Sequence, residues 1–435
     1  MTPRRSKQID SERVPIEYNP SQVAFVGLVG IGTPNQYFNL EFDIASSDTW
    51  VTGAFANCSR NTKCPDERAV FYPRRSSTFE SEPNITWTLD LSGGQGINGT
   101  LSTDTVQVAA FVVDRQAVAV ADSIDGLPDN GIDGSFGLGL RDLTFNGDPT
   151  PIENLIKAGS MRSEVGVWLG AGNQGGELIF GGRDRGRYYG DMRYYDVPKG
   201  SAYWSTSVES ITVVSNKLKE GSGQRVLLRN QIDAKVAGSV SSPKVIFDTS
   251  TNIILLPPRV ARDVHRYIHD YFFGFYSGYS LIYGTYTVPC SLADMDTDIW
   301  VDLGPSVPRA VDVALNTTAR GPLTQSPTSK PGNKILPTPV PGPGNKYVAM
   351  AADQRTILGT EKSKTQNTRF RISGRDLVRE RLPIFGSLQN ICFSGIQASK
   401  SDEDDWVFGN IWFMNNYMTL DHQHRQIGVA PAVQS

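Results

Sequence analysis

The chain has 435 residues, 39% of them hydrophobic and 20% charged, with a formal net charge of -3. That is enough for a large buried core and two or three domains. The charge leaves no polybasic footprint for nucleic acid or an anionic membrane, and no apolar run reaches the about 18 residues that span a bilayer.

The chain opens MTPRRSKQIDSERVPIEY, polar and basic, without the apolar core of a signal peptide. We expect residues 1–15 to be a disordered segment or the remnant of a pro-segment. Either the start has been trimmed from a protein of the secretory pathway (secreted, vacuolar or lysosomal), or the protein is intracellular with free cysteines; we read it as trimmed.

Beyond it, alternating apolar and β-branched runs dominate: VAFVGLVGI, YFNLEFDI, TDTVQVAAFVV, ELIFGG, KVIFDTSTNIILLP and QIGVAPA. Gly, Pro and Asn turns separate them, as in a mostly-β protein. Glycine (42) and proline (26) are frequent, which fits a turn-rich globular chain. Short helices are expected at PTPIENLIKAG (149–159) and PPRVARDVHRYIHDYF (257–272), each with proline at its start.

Cys58 and Cys64 bracket a short polar loop, while Cys290 and Cys392 lie far apart. Neither pair has C-x-x-C spacing. Four cysteines allow three connectivities, of which we prefer Cys58–Cys64 with Cys290–Cys392. Asn57, Asn84, Asn98 and Asn316 open N-x-[ST] sequons and are candidate glycosylation sites.

Three other patterns carry no chemistry. Gly94, Gly96 and Gly99 match G-x-G-x-x-G, but a strand follows where a dinucleotide site needs a helix, so they read as a hairpin tip. His265 and His269 lie four apart with no third ligand, and read as a solvated helix face; His422 and His424 read as a surface turn. No metal or cofactor is expected, and four histidines in these settings give a Ser-His-Asp triad little support.

Two segments resemble one another. LEFDIASSDTWV (40–51) and VIFDTSTNIILL (245–256) are each a hydrophobic strand ending in Phe-Asp, then small residues, then apolar ones. GSFGLGL (134–140) follows the first and WVFGNIW (406–412) the second, a pattern of duplication. The spacing differs because residues 304–345, rich in Pro, Thr, Asn and Lys, read as an inserted exposed loop.

Paired aspartates suggest a reaction. An enzyme with neither metal nor nucleophile can hydrolyse a peptide with water, if one group takes the water's proton and another protonates the carbonyl. Two carboxylates about 3 Å apart cannot both ionise, so they share one proton and do both jobs.

Here the chain resembles the pepsin-like aspartic protease family. GLVGIGTPNQYFNLEFD (27–43) is similar to its entry strands. DIASSDTW (43–50) stands where the family has Asp-Thr-Gly-Ser-Ser, two residues and Trp; DTST (248–251) stands where it has Asp-Thr-Gly-Thr/Ser. GGELIFGGRD, YWSTSVESITV and VFGNIWFMNNYMTLDHQHRQIGVAPA also match family segments. The resemblance covers about residues 20–431 apart from the inserted loop. It implies a mostly-β, bilobal acid-protease fold of two related β-barrel-like lobes, 16–195 and 196–431, with a few short helices. It also implies a catalytic pair, Asp43 and Asp248, at the lobe seam. Both preferred disulfides fall where many members have them.

Supporting roles carry over residue by residue. Ser46 and Thr251 would donate to the outer carboxylate oxygens. Thr249 would tie the two loops, but Ile44 stands where the other tying Thr belongs. Ala45 and Ser250 replace two glycines of tight turns. The family's flap carries a Tyr; the matching segment, TWTLDLSGGQGINGTLSTDTV (86–106), has none. Leu89 is its positional match, with Trp87 two residues away on the same strand face, and Trp50, the usual neighbour of that Tyr, is kept. The resemblance implies a monomeric endopeptidase cutting extended peptide or protein substrates. Ile44, Ala45, Ser250 and the absent Tyr keep two alternatives open. One is a silent homologue binding a peptide, protein or small molecule in the cleft; the other is acid–base chemistry on a non-peptide substrate.

Overall fold

Each aspartate loop lies beside a middle strand that comes from much later in the chain. In the first half, Gln36–Asp43 runs parallel to Gly134–Gly137, with Asp43 opposite Gly137, and Trp50–Cys58 flanks the same strand antiparallel. In the second, Lys244–Phe247 runs parallel to Trp406–Phe408, with Phe247 opposite Phe408, and Ile254–Leu256 flanks it antiparallel. The chain thus leaves the middle strand on one side and returns on the other, with an aspartate at the crossing. These are the four segments in which the sequence repeats itself.

These features belong to a computed structural model that describes residues 11–19, 24–58, 68–90, 96–125, 132–170, 174–218, 225–234, 243–269, 278–280, 284–294, 297–307, 369–382, 391–402 and 405–434. Strands dominate, in sheets of thirteen, eight and four, with three α-helices among the described residues. This is the two-lobed pepsin-like β fold.

Period-two burial builds the strands. Along Gln36–Asp43, Phe38, Leu40 and Phe42 are buried while Tyr37, Asn39, Glu41 and Asp43 face the other way. Phe42 packs on Phe136 of the middle strand at 5.2 Å. Phe247 packs on Trp412 at 5.5 Å, and Phe408 on Trp412 at 5.0 Å. Aromatic layers therefore lie under both aspartate strands and fix their height.

The expected helices form. Pro151–Lys157 starts with a capping box: Thr150 accepts from the Glu153 N–H at 3.2 Å, and the Glu153 carboxylate accepts from the Thr150 N–H. Pro258–His269 buries Val260, Ala261, Val264 and His265 on one face. His265 thus corrects the expectation of a solvated face. Its ring is 1% exposed, bonded to the Ala261 carbonyl and the Ser394 hydroxyl and stacked on Tyr286.

Strands from both ends of the chain meet in one sheet. Asn416–Asp421 pairs with Glu164–Leu169, and Gln426–Pro431 with Arg193–Asp196. Gly176–Phe180 joins Glu12–Asn19 to the same sheet. The N-terminal segment therefore enters the fold at Glu12, before the expected boundary at residue 15. Val14 and Ile16 are buried there, and Arg13 pairs with Glu177 and Asp184. Two apolar residues spaced by one, among charged ones, were enough to make an inward-facing strand.

Cys290 and Cys392 form a disulfide. Cys58 is disulfide-bonded, and Cys64 lies outside the described residues. Asn57, Asn84 and Asn98 are exposed, and Asn316 lies outside the described residues, as does the inserted loop beyond Val307.

Candidate active site

Both aspartates sit where a buried strand breaks into a loop of small residues. Glycines permit the loops to lie against the chain that crosses them. A Cβ on Gly137 or Gly139 would strike the Ser46–Ser47 backbone, and one on Gly409 would strike the carbonyls of Thr251 and Ile253. Hydrogen bonds hold each crossing: Gly139 N–H to Ser46 C=O at 2.8 Å in one half, Asn410 N–H to Thr251 C=O at 2.7 Å in the other.

One hydroxyl joins the loops. Thr249 Oγ1 donates to the Phe42 carbonyl at 2.7 Å and accepts from the Ile44 N–H at 3.1 Å. Ile44, fully buried, offers no hydroxyl in return. The reciprocal tie of the resemblance is therefore half present, and it is enough to bring Asp43 and Asp248 into electrostatic contact.

Each carboxylate is met by donors. Ala45 N–H donates to Asp43 Oδ1 at 2.7 Å, and the N–H and hydroxyl of Ser46 also donate to Asp43. Asp48 lies further along this loop. Asp248 Oδ1 accepts from Ser250 N–H at 2.7 Å, Ser250 Oγ at 2.7 Å and Thr251 N–H at 3.2 Å; its Oδ2 accepts from Thr251 Oγ1 at 2.6 Å. The replaced glycines thus still deliver their N–H groups. Neither Ala45 nor Ser250 has a positive φ, so neither turn demands glycine. Ser250 supplies a donor that glycine cannot.

The pair is asymmetric. Burial, then the charge of Asp248, pushes Asp43 up to about 7, against the pull of its donors. Asp248 has four hydrogen-bond donors around its two oxygens, two of them hydroxyls. Below about pH 7 Asp43 holds its proton.

Two carboxyls flanking Asp43 along the chain were not singled out by the sequence. Glu41 lies two residues before Asp43 on the same strand face. Burial, then the charges of Asp43 and Asp248, push it up to about 8. The signal was its i, i+2 spacing from Asp43, which reads equally well as a solvated strand position. Asp48 accepts from Trp87 Nε1 at 2.9 Å and from the Phe145 N–H at 3.1 Å.

Trp87 anchors the hairpin that resembles the flap. Strands Glu80–Asp90 and Gly96–Val108 pair with Trp87 opposite Gly99 and Leu89 opposite Ile97. Trp87 is fully buried and lies 6.2 Å from Trp50, while Leu89 is half-buried; the tip, 91–95, lies outside the described residues. An indole bonded to the aspartate loop thus ties this hairpin down. Gly96 and Gly99 lie within its second strand.

Comparisons agree with this geometry. The family model for eukaryotic aspartyl protease matches residues 24–318. Rhizopuspepsin of Rhizopus chinensis is 29% identical over 282 residues, 64% of this chain and 63% of that protein. Pepsin A of Suncus murinus is 29% identical over 259 residues (58% and 59%), and mucorpepsin of Rhizomucor pusillus 32% over 255 (54% and 54%). The chain spans about three fifths of the length of the first of these relatives. A match over more than half the chain, together with two aspartate loops joined at Thr249, places this protein in the eukaryotic aspartyl protease family.

Proposed function

We propose that the protein is an aspartic endopeptidase that hydrolyses peptide bonds with water activated by Asp43 and Asp248. The observation that carries this is the donor set: each carboxylate is cupped by N–H and hydroxyl donors from its own loop, and Thr249 joins the loops. The ionised Asp248 takes a proton from water as its oxygen attacks the scissile carbonyl carbon. Asp43 gives its proton to the carbonyl oxygen. Collapse of the tetrahedral intermediate breaks the C–N bond, and the leaving amine takes a proton from the pair. The Cys290–Cys392 disulfide supports a place in the secretory pathway. Among the described residues no helix is long and apolar enough to cross a membrane.

The test is cleavage of a denatured protein between pH 2 and 7, with and without a statine-type inhibitor. Inhibited cleavage that is lost in Asp43→Asn supports the reading; absence of cleavage at every pH overturns it. The second reading, a cleft that binds without cutting, is favoured by Ile44, whose position lacks the second tying hydroxyl. Inhibitor binding without turnover would select it.

A further inference from the structure

The strand Trp50–Cys58 ends on an outer face of its sheet. Exposure alternates along its last residues: Phe55 and Asn57 face solvent, while Ala54, Ala56 and Cys58 are less exposed. Asn57 lies opposite Ser123, Ser123 opposite Asn98, and Asn98 opposite Thr88. Residues paired across strands point to one side, so these four share a face with Phe55. Trp87, Ile97 and Ile124 are buried on the other side.

Phe55 is 93% exposed, more than any other large apolar side chain among the described residues. Leaving an aromatic ring in water forgoes the gain of burying it. The row beside it, Asn57, Ser123, Asn98 and Thr88, is polar and uncharged, so it extends no apolar patch of the kind a protein or lipid partner buries. It does hold a sequon: Asn57-Cys58-Ser59 starts two residues beyond Phe55, about 7 Å along the same strand face. A sugar on Asn57 Nδ2 presents C–H groups on one face of its ring, and these complement the negative face of an aromatic ring. The other described sequons lack such a platform, since Glu82 stands two residues before Asn84 and Gly96 two before Asn98.

We propose that Asn57 carries an N-linked glycan whose first N-acetylglucosamine stacks on the Phe55 ring and stabilises the end of this strand. The inference rests on the secretory-pathway reading, because the sugar donor, an oligosaccharyl lipid diphosphate, is met there. In the transfer the Nδ2–C1 bond forms, the C1–O bond to the diphosphate breaks, the lipid diphosphate leaves, and the amide proton passes to solvent. Cys58, the next residue, is disulfide-bonded, which fits the same compartment.

The test begins with glycopeptide mapping, by mass spectrometry, of the full chain purified from its own cells. Asn57 should be occupied. Asn57 bare while Asn84 or Asn98 is occupied overturns the proposal alone; glycan at none of them overturns it together with the secretory-pathway reading, and neither result needs a variant to fold. The contact is read on full chain secreted from yeast and trimmed by an endoglycosidase to one sugar per site. Thermal unfolding compares chains with and without Asn57→Gln, in the native background and in Phe55→Ser and Phe55→Tyr. Losing the sugar should lower Tm by about 1–3 °C in the native and Phe55→Tyr backgrounds, and by less than about 0.5 °C in Phe55→Ser. Comparing these differences cancels the cost that Phe55→Ser carries by itself. An equal shift in all three backgrounds, or none in the native one, overturns the stacking.

Discussion

Replacing Thr249 with Val should loosen the aspartate pair more than any other single conservative change. The two side chains are nearly isosteric, so packing is preserved and only the hydroxyl is lost. That hydroxyl, on a residue 3% exposed, serves two backbone groups of the opposite loop, the Phe42 carbonyl and the Ile44 N–H. A buried polar group left without a partner costs about 1–3 kcal/mol, so two place the change at about 2–6 kcal/mol. Because Ile44 provides no return hydroxyl, nothing matches this loss from the other side. Urea denaturation at pH 5 should show the unfolding free energy falling by that amount, as a lower midpoint at unchanged slope, with kcat/KM down at least tenfold. Adding Ile44→Thr to Thr249→Val should restore part of the stability by letting the tie run from the first loop. A loss of unfolding free energy below about 0.5 kcal/mol with full activity would refute the claim that one hydroxyl joins the loops.

Three further outcomes follow from other contacts. Trp87→Phe keeps an aromatic ring but removes the bond to Asp48, and should lower stability by about 1–2 kcal/mol while raising KM for peptide, measured by denaturation and steady-state kinetics. The Cys290–Cys392 bridge closes a separation of 102 residues, so Cys290→Ser with Cys392→Ser should cost about 2–5 kcal/mol, read from the same denaturation. Glu41 titrates from 4.5 up to about 8 on folding, so its folded-state advantage is complete below pH 4.5 and lost as pH rises to 8. Glu41→Gln should therefore leave stability unchanged at pH 4 and raise it by about 1–3 kcal/mol at pH 7, after discounting for solvent screening at a half-buried site.

The aspartate loops were legible because strand burial and loop chemistry repeat together. Phe42-Asp43 and Phe247-Asp248 each need an aromatic on the core side and a carboxylate at the strand end, and Gly137 and Gly409 are required where the crossing chain passes. The two helices were legible from proline starts and apolar spacing. Glu41 was not, since an acidic residue at an alternate strand position is ordinarily solvated, and only the meeting of both loops makes it unusual. His265 was hidden for a related reason: its burial depends on Ser394 and Tyr286, distant in sequence. The strand at Glu12–Asn19 was obscured by its charges, of which Arg13 is paired with Glu177 and Asp184 from much later in the chain. The link from Trp87 to Asp48 joins two residues on separate elements, which sequence matching position by position cannot find.

The central claim is that Asp43 and Asp248 act as one proton-sharing pair on a peptide bond. Its most direct test is the pH dependence of kcat/KM on a denatured protein substrate, for the native chain, Asp43→Asn and Asp248→Asn. The account predicts activity at acidic pH that declines as pH rises through about 7, where Asp43 loses its proton, and a loss of at least about a thousandfold in either variant. Native cleavage that survives in either Asn variant would contradict it.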